Sequence, residues 1–484
     1  MNTILIVCDT WRRDHAGRYG NDWIRTDNID RFAEKSAVFE NAYIASYPTL
    51  PCRRDILTGR CEFPWRGWGG LEPDDVTLPE VLAKAGKPSY LITDVYHHWG
   101  RDAGNYWRDF TGFDLVRGQE RDGYITDTDV QFDHRTHRYP AHNRPDEPHF
   151  RNAQFMRRSE EDWFCAQVFS RAARWIEHNA DHDDFFLMID SFDPHEPWDP
   201  PRHYTDLYDD PAYDGREFPV APYGCVEGKL TAPELKHVQA LYAGEVTLMD
   251  RWLGRFLDRV EAMGLMDKTM IILTSDHGTH NGDRGRTGKN WTLMEEISHI
   301  PLIAWHPEFG HGRRPKQLVQ AVDYFPTALE AAGTDPPEGI HGKSLLPILK
   351  DPEGAGGRDA AVFAEFGHAV NVTDGEYVLI QGVDPSNPPL YSYSLGRSKW
   401  SSDDWGAFDG ARRLVGPKNA DTARLEKNRT RLYHLPSDPK QERNLVESEA
   451  GQLQRMRRLL VKELTEIGAP SELIARFGLQ NVKA

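Results

Sequence analysis

The stretch that decides the fold reads TLPCR over Thr49–Arg53 and ILTGR over Ile56–Arg60. It sets a hydroxyl side chain, a turn-fixing proline and an arginine at the start of a short predicted helix, which ends at Gly59. The field at a helix N-terminus favours an anion, and a guanidinium can bind two oxygens of an oxyanion at once. The stretch therefore predicts an anion site in which Thr49 is the nucleophile and Arg53 binds substrate oxygens. An ordinary helix cap and a surface arginine are the alternative.

Short apolar runs alternate with helical patterns along most of the chain. Apolar runs of this length are typical of buried parallel strands, which helices connect across the faces of a sheet. We therefore predict an α/β fold with a mostly parallel central sheet flanked by helices. The predicted strands are Thr3–Cys8, a run near Ala37–Ala42, Ser89–Ile92, Asp184–Ile189 and Thr269–Thr274, and the predicted helices are Asp27–Lys35 and Pro233–Met263.

The composition changes at Asp351–Gly357, which is rich in proline, glycine and charge and marks a boundary. We predict a catalytic domain over residues 1–355 and a smaller C-terminal α+β subdomain over 356–484, made of a small antiparallel sheet and a helix. Its predicted strands are Ala361–Glu365, Tyr377–Gln381 and Arg431–His434, and its predicted helix is Glu449–Ile467. The stretch His134–Arg151 is interpreted as a long insertion or an active-site loop.

The overall composition restricts the classes of function. The chain has 484 residues and a formal net charge of −17, which argues against a general nucleic-acid binder. No apolar stretch is long enough for a membrane span, and no signal peptide is recognisable, so we expect a cytoplasmic enzyme without a membrane partner. Five widely spaced cysteines form no recognisable disulfide framework. A homo-oligomer is left open.

Polar residues directly follow two of the predicted strands. Asp9 and Thr10 come after the first strand, and Asp276 and His277 come after a later one. Ligands bind beyond the carboxyl ends of parallel strands, and carboxylates with an imidazole suit a hard or borderline divalent ion. We predict one divalent ion, with Thr49 as a further ligand and with Thr10 either as a weak ligand or leaving its place to water. Each aspartate taken alone is equally compatible with a helix cap.

These motifs resemble those of sulfatases in the alkaline phosphatase superfamily. TLPCR with ILTGR is similar to the family element C/S-x-P-x-R followed by LTGR. Further segments resemble family segments in the same order, which implies an alkaline-phosphatase-like fold and a divalent ion, Mn²⁺ by preference, with Ca²⁺, Mg²⁺, Zn²⁺ or Fe²⁺ as alternatives. These segments are Asp27–Ala33, Asp323–Leu329, His341–Pro347 and Arg431–Leu435.

The resemblance also implies the residues that meet the substrate. DPHEPW at Asp193–Trp198 resembles the family element D-P-H-x-P, whose histidine, here His195, contacts the anionic group and the leaving oxygen. Lys289 matches the second basic residue of the family. These two side chains are therefore expected to neutralise or protonate the leaving oxygen.

Two segments depart from the family pattern. TDVYHH at Thr93–His98 replaces the family's G-K-W-H-L-G, which leaves Asp94, Tyr96 and His97 as candidate substrate ligands, with a structural role as the alternative. Arg284 is expected to meet either the substrate or a surface carboxylate. A pocket with fewer cations favours a substrate with less charge than a dianion.

The largest departure is Thr49 itself. The family oxidises a cysteine or serine at this position to formylglycine, whose covalent intermediate collapses without attack on sulfur, and threonine cannot be converted in that way. A threonine ester needs a second attack by water on the central atom, as in superfamily relatives that act on phosphorus. We therefore predict a metal-dependent hydrolase of phosphodiesters or phosphonate monoesters, small anionic esters, with a phosphothreonine-type intermediate. The alternatives are a sulfatase that acts without formylglycine and a non-catalytic or transferase member.

Overall fold

The computed structural model describes residues 1–100, 104–126, 147–354, 356–386, 388–394, 412–414 and 425–483, with 412–414 described by backbone alone. Its α-helices are α1 Asp27–Glu34, α2 Thr49–Thr58, α3 Leu78–Lys84, α4 Glu147–Met156, α5 Phe164–Asn179, α6 Arg202–Thr205, α7 Ala232–Ala262, α8 Glu295–Ser298, α9 Tyr324–Ala331, α10 Leu346–Lys350, α11 Ala450–Glu466 and α12 Ser471–Arg476. Within the described residues, none of these helices is long and apolar enough to cross a membrane.

The strands of the described residues form one large sheet and several smaller ones. They are β1 Asn2–Cys8, β2 Ala37–Val38, β3 Asn41–Tyr43, β4 Ser46–Tyr47, β5 Ser89–Thr93, β6 Gly112–Leu115, β7 Phe186–Ser191, β8 Gly224–Cys225, β9 Thr269–Thr274, β10 His280–Asn281, β11 Arg286–Gly288, β12 Leu302–Trp305, β13 Leu318–Gln320, β14 Ala361–Glu365, β15 Val370–Thr373, β16 Tyr377–Gln381, β17 Tyr391–Tyr393, β18 Arg412–Leu414 and β19 Arg431–His434.

The central sheet has the strand order β2-β12-β9-β1-β7-β5-β6. The strands from β9 to β6 run parallel, whereas β12 is antiparallel to both β9 and β2. Every residue of β1, β7 and β9 is buried, as expected for strands covered on both faces. The predicted α/β fold with a mostly parallel central sheet is therefore confirmed, with an antiparallel edge that makes the sheet mixed.

Successive residues of β1 lie on opposite faces of the sheet and pack into two separate hydrophobic cores. Leu5 and Val7 pack with residues of α2 and α9 on one face of the sheet. Ile4 and Ile6 pack on the other face with residues of α5 and α7. Helix α7 begins with a capping box between Thr231 and Glu234. The sheet thus fixes the carboxyl ends of β1, β7 and β9 side by side, which is where the candidate site lies.

A second sheet has the order β19-β16-β15-β14-β4 and packs against α11. Strands β14, β15, β16 and β19 pair antiparallel, but β4 comes from the first half of the chain and pairs parallel with β14. The predicted strands and helix of the C-terminal part match these elements. The division at residue 355 stays a prediction.

Two local predictions differ from the structure. The single strand near Ala37–Ala42 is two strands, because β2 pairs with β12 in the central sheet and β3 pairs with β13 elsewhere. The interpretation of His134–Arg151 as a loop is wrong for residues 147–151, which begin α4. Residues 134–146 lie outside the described residues.

Candidate active site

The predicted nucleophile opens a buried helix. Thr49 is the first residue of α2, and every residue of this helix is buried. Pro51 stands in the first turn, where a missing N–H costs nothing. The helix ends at Gly59 with φ of +66°, where an added Cβ would lie 2.9 Å from Cδ1 of Phe325. The local sequence therefore fixes Thr49 at the positive end of a rigid helix, and its Oγ1 lies 3.4 Å from Nε2 of His277.

Three potential metal ligands meet beside Thr49. One ligand atom each from Asp9, Asp276 and His277 lie within 4.8 Å of one another, and all three residues are buried. His277 Nδ1 donates to the carbonyl oxygen of Gly278 at 2.9 Å, so Nε2 keeps its lone pair and faces Thr49. Burial lowers the pKa of His277 to about 4, which keeps the ring neutral near pH 7. A neutral imidazole oriented in this way is the form that binds a metal.

Thr10 orients both carboxylates. Its backbone N–H donates to Oδ1 of Asp276 at 2.9 Å, and its hydroxyl donates to Oδ1 of Asp9 at 2.7 Å. Thr10 has φ of +64°, an uncommon conformation for a β-branched residue and one that clusters at functional sites. Its hydroxyl is therefore already used as a donor to Asp9, and its role as a weak metal ligand stays a prediction.

Arg53 lies within a group of carboxylates. Its fully buried guanidinium contacts Asp9 Oδ2 at 3.1 Å, Asp190 Oδ1 at 2.7 Å and Asp276 at a shorter distance. We expected this side chain to reach toward substrate oxygens. In the structure the guanidinium pairs with these carboxylates, because buried anions attract a cation strongly, and its contact with substrate oxygens stays a prediction. His98 Nε2 completes the group at 2.7 Å from Asp190 Oδ2, and burial lowers the pKa of His98.

The charges of this group fit one divalent cation. Three carboxylates and one guanidinium sum to −2, and buried charge is costly unless it is compensated. Asp9 Oδ2 is buried and accepts no hydrogen bond from the part of the chain that the structure describes. Burial and the neighbouring Asp276 raise the pKa of Asp9 well above its usual range, so that carboxyl would hold a proton without a further cation. Two oxygen donors and one nitrogen donor suit a hard or borderline ion.

A second cluster lies on the loop after β7 and at the end of β11. Lys289 Nζ lies 2.9 Å from Glu196 Oε2, and the Tyr223 hydroxyl donates to the other carboxylate oxygen. His195 Nδ1 donates to the backbone carbonyl of Glu196, and its ring stacks on Phe192 at 4.0 Å between centroids. Burial lowers the pKa of His195 to about 4. His195 is therefore neutral near pH 7 with a lone pair on Nε2.

Tyr47 connects the two clusters. Its hydroxyl donates to the backbone carbonyl of Lys289 at 3.1 Å, and its ring lies 5.0 Å from that of His277. The positive charge of Lys289 also acts to lower the pKa of Asp9 and of His277. Lys289 is therefore connected to the candidate metal ligand His277 through Tyr47.

Comparison with known proteins identifies the family of this chain. The sulfatase family model matches residues 1–334. The chain belongs to the sulfatase family. Among its relatives, the arylsulfatase of Clostridium perfringens is 25% identical over 397 residues, covering 72% of this chain and 78% of that protein. The N-acetylglucosamine-6-O-sulfatase of Bacteroides thetaiotaomicron is 26% identical over 426 residues, covering 72% and 71%. Membership makes this chain an ester-bond hydrolase of the alkaline phosphatase superfamily.

A solved structure shares the fold of this sulfatase-family chain. The phosphonate monoester hydrolase of Agrobacterium radiobacter superposes with a TM-score of 0.69 at 19% identity, covering 96% of each chain. The likeness confirms the alkaline-phosphatase-like architecture. At 19% identity this likeness shows the fold alone and does not identify the substrate.

The predicted substrate ligands on the segment Thr93–His98 have defined partners. Asp94 Oδ1 accepts the backbone N–H of Phe192 at 2.7 Å, which supports the ring beneath His195, and burial raises the pKa of Asp94 well above its usual range. His97 Nε2 lies 3.0 Å from Glu120 Oε2. Tyr96 is partly buried and lies edge-on to Trp99 at 6.0 Å. Asp94 therefore has a supporting position in this sulfatase fold.

Arg284 lies away from the Asp9 cluster. Its guanidinium pairs with Glu296 at 2.9 Å and donates to the carbonyl of Gln441 at 3.2 Å. It lines a separate cleft of about 630 Å³ together with Arg12 and Glu295. Of the two roles expected for Arg284, the structure supports the pairing with a carboxylate.

Sequence reasoning missed two residues on which the site depends. Asp190 directly follows the predicted strand Asp184–Ile189 and is aligned with Val7 and Thr93 on the neighbouring strands, so it is a third carboxylate at the same sheet edge. Its position next to a predicted strand end was the available signal. Glu196 occupies the variable position of the D-P-H-x-P element. No sequence signal identified it as the partner of Lys289.

Proposed function

We propose that this sulfatase-family enzyme hydrolyses phosphodiesters or phosphonate monoesters through Thr49. The observation that carries the proposal is the position of Thr49 Oγ1, at the N-terminus of α2 and 3.4 Å from His277 Nε2. Threonine cannot become formylglycine, so a covalent ester formed here must be cleaved by a second attack on the central atom. Phosphorus supports this double displacement.

Different residues of the chain act in the two steps of the proposed reaction. In the first step, Thr49 Oγ1 loses its proton to solvent and forms a bond to phosphorus, while the bond to the leaving oxygen breaks and that oxygen departs as an anion. The field of α2 favours the negative charge that develops near Thr49. Lys289 carries the positive charge at the second cluster and stabilises the leaving oxygen. In the second step, water bonds to phosphorus as a hydroxyl and gives one proton to the lone pair on His195 Nε2, while the bond to Thr49 breaks and Thr49 Oγ1 regains a proton from solvent.

The candidate metal ligands add to this scheme. Asp9, Asp276 and His277 would hold one divalent ion, with the hydroxyls of Thr10 and Thr49 as further candidate ligands. Such an ion supplies Lewis-acid stabilisation and lowers the pKa of a nearby hydroxyl. The family resemblance favours Mn²⁺ over Ca²⁺, Mg²⁺, Zn²⁺ and Fe²⁺. The cytoplasmic location and a homo-oligomer stay predictions.

Sulfate ester hydrolysis through unmodified Thr49 is the second candidate. It is favoured by the relatives named as sulfatases, which match about 72% of the chain. The two candidates differ in the central atom of the ester.

The test compares three aryl esters with the same leaving group, a phosphodiester, a phosphonate monoester and a sulfate. We expect the purified enzyme with Mn²⁺ to act on the phosphorus esters best. Thr49→Ala should lower kcat/KM by about 1,000-fold or more, because it removes the nucleophile. Thr49→Ser keeps a hydroxyl and is the matched control. Rapid quenching followed by mass spectrometry should find a phosphorylated peptide containing residue 49. Unchanged activity of Thr49→Ala, or a preference for the sulfate, would refute the proposal.

A further inference from the structure

Glu196 is the most tightly held side chain of the second cluster. It is 6% exposed and contacts Lys289 at 2.9 Å, the hydroxyl of Tyr223, and His195 Nδ1 at 3.5 Å. Burial alone would raise its pKa, but His195, Lys289 and the Tyr223 hydroxyl outweigh that effect and hold the pKa well below its usual range. Glu196 is therefore a fixed negative charge.

Glu196 is connected to the candidate metal ligand His277 through Lys289 and Tyr47. Its partner Lys289 is joined through its backbone to Tyr47, whose ring contacts that of His277. Its neighbour His195 is neutral near pH 7 because burial lowers its pKa to about 4. A phosphoryl group beside Thr49 would therefore meet Lys289 and Glu196 together rather than an isolated ammonium.

The cations of the site are already matched by anions. Arg53 contacts three carboxylates, and Lys289 contacts Glu196. A substrate with one negative charge can interact with Arg53 and Lys289 while both cations keep their carboxylate partners. A second negative charge would lie close to a buried carboxylate, and like charges in a poorly solvated site repel by several kcal/mol.

We propose that Glu196 is a specificity-determining residue that makes this site select singly charged esters over doubly charged phosphate monoesters. The inference deepens the proposed function and rests on it, because it concerns the same site and the same Thr49 chemistry. Phosphodiesters and phosphonate monoesters carry one charge at neutral pH, whereas a phosphate monoester carries nearly two above its second pKa of about 6. The Glu196 carboxylate thus disfavours doubly charged substrates relative to singly charged ones. We call this role the charge filter.

The experiment measures a ratio of rates at pH 8 in the presence of Mn²⁺. The ratio is kcat/KM for an aryl phosphate monoester divided by kcat/KM for the aryl phosphodiester with the same leaving group. Glu196→Gln should raise this ratio about tenfold or more, because it removes the repelling charge and keeps the shape. Glu196→Asp keeps the charge and should leave the ratio near the wild-type value. The ratio between two singly charged substrates, the phosphonate monoester and the phosphodiester, should not move in either variant.

Glu296→Gln is the matched control. It makes the same change in another largely buried carboxylate, which pairs with Arg284 in the separate cleft. It should leave the ratio unchanged. A purely structural role of Glu196 would lower all three rates together and would not move the ratio.

The outcomes separate the two proposals. A wild-type enzyme that acts on neither the phosphodiester nor the phosphonate monoester refutes the proposed function, and the ratio is then measured against the aryl sulfate, which is also singly charged. An unchanged ratio in Glu196→Gln refutes the charge filter alone. If that variant does not fold, inhibition of the wild-type enzyme decides instead. Dimethyl phosphate should then inhibit more strongly than inorganic phosphate at pH 8, and the opposite order would overturn the inference.

Discussion

The two halves of the active site are built differently. The half around Arg53 consists of side chains with no exposed surface, placed by α2 and by the ends of β1, β7 and β9. The half around Lys289 lies on a loop and at the end of a short strand, and its members keep some exposure, 9% for Lys289 and 14% for His195. The first half holds several charges in fixed positions, and the second holds one ion pair at the edge of solvent.

This difference indicates a division of labour. The requirement that all esters share is a fixed nucleophile, for which we propose Thr49, and a compensated group of carboxylates, and both of these lie at the rigid sheet edge. The requirement that varies is the leaving group, which the more accessible half meets. Changes in the first half should therefore affect stability as well as activity, and changes in the second half should affect activity and specificity.

The largest effect should follow the loss of the central cation. Arg53→Met leaves three buried carboxylates without their common partner and should lower the free energy of unfolding by about 3–5 kcal/mol. Urea denaturation in the presence of a chelator measures this loss without the contribution of bound metal. Arg31→Met removes an exposed pair with Asp258 and should cost less than about 1 kcal/mol. Equal losses of unfolding free energy in Arg53→Met and Arg31→Met would show that the buried charges around Arg53 contribute no more to stability than an exposed ion pair does.

A smaller effect on stability is expected in the second half. Lys289→Met leaves one carboxylate unpaired and should cost less than half as much stability as Arg53→Met. Its kcat/KM should fall by about 100-fold, because a positive charge is lost where the leaving oxygen departs. The loss should be larger for aryl groups that leave poorly, which a series of substituted phenyl esters measures. A loss of the same size for every leaving group would place Lys289 elsewhere in the reaction.

The smallest effect concerns pH. The folded pKa of His195 is about 4, below the usual value of about 6.5 in an unfolded chain. Because the unfolded chain binds this proton first, the contribution of His195 to stability is intact above about pH 6.5 and is lost as the pH falls toward 4. His195→Gln should remove about 1–3 kcal/mol of the decline in unfolding free energy between these pH values.

Denaturation at pH 7 and at pH 4.5 checks this prediction. His203→Gln changes an exposed histidine and is the matched control. If the wild type and His195→Gln lose stability in parallel between the two pH values, His195 is not buried in its neutral form.

The sequence predicted the first half better than the second for a physical reason. Asp9 and Asp276 directly follow apolar runs, so their position at the sheet edge follows from local pattern alone. Asp190 required the order of the strands, because only the pairing of β7 with β1 and β5 brings it to Arg53. The three carboxylates around Arg53 were not predictable, since a linear sequence does not show how many of them converge on one guanidinium, and its contact with substrate oxygens stays a prediction.

The substrate side was less predictable. His195 and Lys289 were identified through their resemblance to family motifs, and the structure brings both into contact with Glu196. Glu196 lies between them in space, yet its partner Lys289 is far away along the chain, so no local pattern reveals the pair. The same holds for Asp94, whose contact with Phe192 depends on how two loops meet.

The parallel pairing of β4 with β14 has a consequence for the integrity of the enzyme. Ser46 and Tyr47 align with Ala364 and Glu365, and Thr49 follows two residues later. The reactive hydroxyl is thus anchored, through a few backbone atoms, to a segment made more than 300 residues after it. A nascent or proteolytically shortened chain that ends before β14 would leave this anchor unpaired, so the enzyme should become active only after β14 has been made.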